Sequence, residues 1–158
     1  MRAERAVVAG TVAAIVGVAV VSGPLVGLSL PGSEPAQAGS GSVDATVEEP
    51  PERGILEPKE YDEEGYSLRG EPVLVSLEAV FGRPYLSYSL SVPELNHSTT
   101  SLTVFEESGR YRLEMRPSTL PADRVDADSY DGTVSIHVID GDGRRLLVET
   151  EVTIEVRE

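Results

Sequence analysis

From Glu71 to the end of the chain, apolar and polar residues alternate with a period of two, the pattern of strands that bury one face. Six strands are predicted, at residues 72–81, 85–92, 101–105, 111–115, 133–139 and 145–156. Residues 66–68 are a candidate seventh. Residues 93–100 are expected to form a loop, and residues 117–131 a long polar crossover. With no amphipathic helix in this stretch, the predicted fold class is all-β, an antiparallel β-sandwich of six to seven strands.

The same alternation predicts which side chains are buried. In the first strand these are Val73, Val75, Leu77, Ala79 and Phe81, and in the second they are Leu86, Tyr88, Leu90 and Val92. In the last strand they are Leu146, Val148, Thr150, Val152, Ile154 and Val156. Between the last two strands lies the sequence Asp140-Gly141-Asp142-Gly143, and Asp-Gly between alternating runs is a strong hairpin signal.

The chain begins with a long apolar segment. Residues 6–21 carry no charge, residues 25–30 resume the run, and Arg2 and Arg5 precede it. A hydrophobic helix is therefore expected within residues 1–30, with the rest of the chain outside the cell membrane. Two alternatives remain open. Its length through Leu30 favours a retained anchor, whereas small residues at Ala36, Ala38 and Gly39 fit a signal-peptidase site that would release a secreted protein.

Residues 31–70 are rich in Pro, Gly, Ser and Glu, with few apolar residues. Such a composition disfavours a packed core, so a disordered acidic linker is expected here. The predicted organisation is an anchor or signal at 1–30, a linker at 31–70 and a β-sandwich domain at 71–158.

The charge balance restricts the partners. The chain carries 27 acidic and 13 basic residues and has a net charge of −14. Nucleic acids and anionic lipids are therefore not expected as ligands. Arginine far outnumbers lysine, and this composition resembles that of proteins exported by halophilic archaea. The chain has no cysteine, so no disulfide can support the exported domain.

The segment Glu107-Ser108-Gly109-Arg110-Tyr111-Arg112-Leu113 resembles the acid-x-Gly-x-Tyr-x-apolar signature of immunoglobulin-like sandwiches, and the terminal hairpin VIDGDGRRL is similar to that of microbial immunoglobulin-like surface modules. The resemblance covers residues 72–157 at most. It implies that Tyr111 ties its hydroxyl back to the backbone at a strand corner. It implies no activity, since this fold serves many functions.

Two polar loops contain candidate sites. Asn96-His97-Ser98 fits the pattern of an N-glycosylation acceptor. Asp126, Asp128 and Asp131 crowd one loop and are the candidate ligands of a calcium ion, although the spacing is not that of an EF-hand. No other cofactor and no catalytic residues are predicted.

The functional expectation is a non-enzymatic cell-envelope protein, attached to the membrane through its N-terminal helix. Its extracellular sandwich would contact an unidentified envelope protein or glycan, and edge strands would form the contact surface. The alternative is an exported accessory subunit, binding a ligand or calcium, of a membrane transporter or enzyme complex.

Overall fold

The computed structural model describes residues 37–60 and 62–158. The predicted hydrophobic helix and residues 31–36 lie outside the described residues. Within the part described, no helix is long and apolar enough to span a membrane.

Ten strands fill almost the whole described region, which confirms an all-β fold. They are β1 (Ser40–Glu49), β2 (Arg53–Lys59), β3 (Asp62–Gly70), β4 (Val73–Arg83), β5 (Tyr85–Val92), β6 (His97–Val104), β7 (Gly109–Leu113), β8 (Ser118–Pro121), β9 (Ser129–Asp140) and β10 (Gly143–Val156). Two short 3₁₀ turns, Pro93–Leu95 and Ala122–Arg124, precede β6 and follow β8.

The strands form two sheets. The smaller has the order β1-β4-β7, and the larger has the order β6-β5-β9-β10-β2-β3-β8. Between them lies a single core of aliphatic side chains with Tyr88, Phe105, Met115 and Tyr130. All neighbouring strands are antiparallel except β10 and β2, which run parallel. The expectation of a purely antiparallel sandwich is therefore wrong at this pair.

The linker predicted for residues 31–70 is wrong for residues 40–70, which form β1, β2 and β3. Composition misled the prediction because apolar residues are few in this segment, but those few are well placed. Leu56 and Leu68 are fully buried and Val43 is 5% exposed. β2 lies between β10 and β3, so this segment joins the two halves of the larger sheet.

All six predicted strands are present, with altered limits. β6 begins at His97, inside the predicted loop, and β8 lies inside the predicted crossover. The candidate strand at residues 66–68 is part of β3. The predicted hairpin joins β9 to β10 through a two-residue turn, where the N–H of Asp142 donates to Oδ1 of Asp140 at 3.0 Å.

Irregularities in two strands overturn part of the predicted burial. In β4, Ala79 adopts a positive φ of 49°, and the pairing with β1 shifts register beside it. Phe81 is consequently 67% exposed instead of buried. In β10 the register shifts between Leu146 and Val148, and Leu146 is 49% exposed. An extra residue in one strand reverses every side chain beyond it.

The larger sheet is strongly curved. Its two edge strands, β6 and β8, would lie about 29 Å apart in a flat sheet, at about 4.8 Å per strand. Instead Nε2 of His97 in β6 lies 2.9 Å from Oγ of Ser118 in β8. Because of this curvature, the outer surface of β6, β5 and β9 and the outer surface of β2, β3 and β8 point in different directions.

Candidate functional site

The outer surface of β6, β5 and β9 carries no charged side chain over twelve positions. These positions, called here the neutral face, are Ser98, Thr100, Leu102 and Val104 of β6, Tyr85, Ser87, Ser89 and Ser91 of β5, and Thr133, Ser135, His137 and Ile139 of β9. In β5 and β9 they alternate with the side chains that face the core, so they share the side of the sheet away from the core, although Ser87 is only 5% exposed. The next strand, β10, presents Glu149, Glu151 and Glu155 on the same side.

Strand register places the apolar members of the neutral face in two adjacent rows. Val104, Tyr85 and Ile139 are paired in one row. In the next row Leu102 pairs with Ser87, which pairs with His137, and β10 continues this row with Leu146. Leu102 is 60% exposed and Val104 is 38% exposed, so this end of the face presents aliphatic side chains to solvent.

His137 lies in the second row of the neutral face and has a lowered pKa. Partial burial is the main cause, and the guanidinium of Arg144 adds to it. Nη2 of Arg144, on the neighbouring strand β10, lies 3.2 Å from Nδ1 of His137 and is close enough to donate a hydrogen bond to it. The lowered pKa favours the neutral imidazole at pH 7, so the face remains without charge.

The chain reaches the neutral face at Gly39, just before β1. A Cβ atom on Gly39 would lie 2.9 Å from Cε1 of Tyr85 and 3.5 Å from Cγ2 of Ile139, so the backbone passes directly over these two side chains. The Gly39 N–H donates to the carbonyl of Arg83 at 2.8 Å. The segment before residue 37 is therefore attached beside the aliphatic end of the face.

A second surface, called here the arginine groove, lies over β2, β3 and the end of β10. It comprises two adjoining cavities of about 720 and 510 Å³, and Arg69 and Arg157 line both of them. Arg53 and Ile55 line the smaller cavity, and Lys59 the larger.

Five glutamates line the arginine groove beside its four basic residues: Glu57, Glu60 and Glu158 in the larger cavity, and Glu71 and Glu114 in the smaller. Nη1 of Arg157 lies 3.1 Å from Oε1 of Glu57, and Nε of Arg53 lies 4.0 Å from Oε1 of Glu71. Arg69 stands opposite Ile55 in the β2–β3 pairing and makes no ion pair with any described residue. Among the described residues, the guanidinium of Arg69 thus has no carboxylate partner, whereas those of Arg53 and Arg157 on either side of it do.

The structure does not assemble the predicted calcium site. All three of Asp126, Asp128 and Asp131 are exposed, and no group of three His, Asp or Glu side chains in the described residues is placed to hold a metal ion. The hydroxyl of Tyr130 instead organises this loop. It accepts hydrogen bonds from the N–H groups of Asp126 and Ala127 and donates to Oδ1 of Asp126.

The other predicted sites lie at the ends of strands. Asn96 is exposed, in a left-handed conformation with φ of 45°, immediately before β6. Its glycosylation stays a prediction. Ala38 and Gly39 lie in a turn that leads into β1, and Ala36 lies outside the described residues. Cleavage between Ala38 and Gly39 would leave all ten strands intact.

The corner tyrosine implied by the resemblance makes the hydrogen bond expected of it. The hydroxyl of Tyr111 donates to the carbonyl of Glu107 at 2.8 Å, and its ring packs edge-on against Phe105 with centroids 4.7 Å apart. No known family model matches the chain, and comparison with curated proteins finds no match.

Sequence reasoning missed both surfaces. The sequence does contain a feature that indicates the neutral face, because residues 84–92 and 97–104 contain no Asp, Glu, Lys or Arg apart from the ends of these strands, in a chain with 27 acidic residues. No sequence feature indicates the arginine groove, since Arg53 and Arg69 lie in the segment predicted to be a linker. Arg157 joins them only through the parallel pairing, where its N–H donates to the carbonyl of Leu56 at 2.8 Å.

Proposed function

We propose that this chain is a non-enzymatic protein of the cell envelope whose domain, an immunoglobulin-like β-sandwich, binds a carboxylate-bearing partner outside the membrane. The N-terminal apolar segment would retain it in the membrane, and the partner would be an acidic glycan or a protein segment decorated with one. The observation that carries this proposal is the exposed guanidinium of Arg69, which makes no ion pair with any described residue although glutamates line the arginine groove around it.

The chemistry of the groove supports an acidic ligand. Guanidinium groups bind carboxylates in a bidentate geometry that lysine does not reproduce. Arg157 and Arg53 already hold the carboxylates of Glu57 and Glu71 at the two sides of Arg69. A ligand carboxylate would pair with Arg69, while further carboxylates along the ligand would compete with the two glutamates.

Binding can be measured with a probe of defined charge. The full chain in detergent is titrated calorimetrically with tetragalacturonate, and with maltotetraose as the neutral glycan of equal length. The titration is repeated at several salt concentrations, because salt screens both the exposed ion pairs and the repulsion between the acidic domain and the acidic glycan. We expect binding of tetragalacturonate alone, weakened at least tenfold by Arg69→Gln.

Arg110→Gln is the matched control. Arg110 is an exposed strand arginine, like Arg69, but it lies on β7, pairs with Glu48 and lines neither cavity. The Arg110→Gln substitution should leave the affinity for tetragalacturonate unchanged. If the acidic glycan does not bind, or if both variants weaken it equally, the groove is not the site.

Location is tested separately on the protein from its source cells. The intact mass shows whether the chain begins at Met1 or at Gly39, and fractionation shows whether it sediments with membranes. A retained anchor predicts the uncleaved mass in the membrane fraction, with the domain digested by protease added to intact cells. An uncleaved chain dissolved in the cytosol would overturn the envelope assignment.

A further inference from the structure

The neutral face needs an explanation different from that of the groove, because none of its twelve side chains is charged and the guanidinium of Arg144 reaches it only from the neighbouring strand β10. Elsewhere acidic residues outnumber basic ones about two to one. Three apolar side chains on or beside this face, Leu102, Leu146 and Val104, are between 38% and 60% exposed. An uncharged, partly apolar surface can approach a negatively charged partner that would repel the rest of this acidic domain. It can also contact an apolar layer that excludes water.

The length of chain outside the described residues limits what this face can meet. Leu30 ends the apolar segment, and Gln37 is the first described residue, seven steps later. At 3.3–3.6 Å per residue, those steps span at most about 25 Å. Because the backbone at Gly39 passes over Tyr85 and Ile139, an anchored chain would hold this end of the neutral face close to the bilayer.

Electrostatics selects the orientation of a tethered acidic domain. The negative potential of a membrane surface falls off over about one Debye length, roughly 8–10 Å at moderate salt. Inside that distance the acidic surfaces of the domain are repelled, and the face without charge is repelled least. Aliphatic and tyrosine side chains also gain free energy at the interface between headgroups and acyl chains.

We propose that the neutral face rests on the headgroup layer of the bilayer that anchors the chain, with Leu102, Val104 and Leu146 as the contacting side chains. This inference rests on the anchor in the proposed function. The curvature of the larger sheet then turns the arginine groove away from the membrane, toward partners outside.

The absence of tryptophan from the chain allows a direct test. Leu102→Trp places a single tryptophan, which can be excited separately from the tyrosines, on the neutral face at a position that is 60% exposed and tolerates a larger side chain. Thr119→Trp is the matched control, since Thr119 is exposed on the outer side of β8, at the opposite edge of the same sheet. Each full-length variant is reconstituted into vesicles of phosphatidylcholine and the anionic lipid phosphatidylglycerol, which also contain a lipid with a spin label high in its acyl chain.

We expect the emission of Leu102→Trp to shift to shorter wavelength and to lose at least half its intensity to the labelled lipid. Thr119→Trp should lose less than a tenth. Leu146→Trp, in the same row as Leu102, should behave as Leu102→Trp does. Equal and weak quenching at positions 102 and 119 would overturn the proposal.

Two further outcomes are distinguished by separate readouts. If the chain does not float with the vesicles in a density gradient, the anchor fails, and the proposed membrane attachment fails with it. If the chain floats but position 102 is not quenched, only the present inference fails. The cysteine-free chain also permits Leu102→Cys. Efficient disulfide formation between copies would show that the face packs against a second copy and not against lipid.

Discussion

Replacing Leu56 by alanine tests whether residues 40–70 belong to the folded domain. Leu56 is fully buried in β2, in the middle of the larger sheet. Its side chain faces the core beside Leu68, its partner in β3, and Val156, its partner in β10. In a disordered linker, by contrast, the same substitution would change stability by no more than a few tenths of a kcal/mol.

The expected cost follows from the burial. Removal of three buried carbons loses about 2.4 kcal/mol of transfer free energy, at about 0.8 kcal/mol each. A residual cavity on the order of 40–60 Å³ adds about 1 kcal/mol, at roughly 24 cal/mol per Å³. We therefore expect Leu56→Ala to lower the free energy of unfolding by about 3–4 kcal/mol. For a domain of this size the Tm should fall by about 12–16 °C, at roughly 4 °C per kcal/mol.

Thermal and urea unfolding, followed by circular dichroism on the full chain, give both quantities. Ile55→Ala is the control, because Ile55 is the adjacent residue on β2 but points to the outer side and is only half-buried. It should cost about 1 kcal/mol. The urea m-value should be unchanged for both variants. Equal, small effects at the two positions would refute the assignment of β2 to the sheet.

Three further outcomes are expected. Tyr88→Phe removes the hydrogen bond from a buried hydroxyl to the carbonyl of Glu71, 2.6 Å away, and should cost about 1–2 kcal/mol in urea unfolding. Tyr130→Phe removes three hydrogen bonds from one loop, so amide exchange at residues 126–127 should accelerate at least tenfold while the fold persists. The pKa values of His97 and His137 are lowered by burial and by nearby arginines, so the unfolded state binds more protons, and Tm should fall as the pH drops below about 6.5. In a variant with both histidines replaced by glutamine, Tm should depend less on pH between pH 7 and 5.5. An unchanged pH dependence of Tm would show that the two histidines are not its cause.

The burial of Tyr88 also constrains its neighbours. Burial, together with the Glu71 carboxylate, raises the pKa of Tyr88 above its ordinary value. A Cβ atom on Gly70 would lie 2.6 Å from the Tyr88 hydroxyl, so only glycine fits at that position beside an undisturbed tyrosine. The apolar alternation of β5 correctly placed Tyr88 on the buried side, but its hydrogen-bond partner lies 17 residues away in sequence.

Alternation was a sound guide wherever a strand stays regular. In β5, Leu86, Leu90 and Val92 are almost completely buried as predicted. The same rule failed at Phe81 and Leu146, because the register shifts in β4 and β10 turn the expected inner side outward. A shift of this kind depends on pairing with another strand, and a single strand's sequence does not show it.

The sequence by itself determined the all-β class, the positions of six strands and the hairpin at Asp140–Gly143, because alternation and turn chemistry act between residues close along the chain. Only the tertiary structure decided that residues 40–70 complete the larger sheet. Their few apolar side chains are too sparse to signal strands, yet Leu56 and Leu68 become fully buried once neighbouring strands surround them. Both candidate surfaces likewise depend on strand order, which places residues distant in sequence side by side.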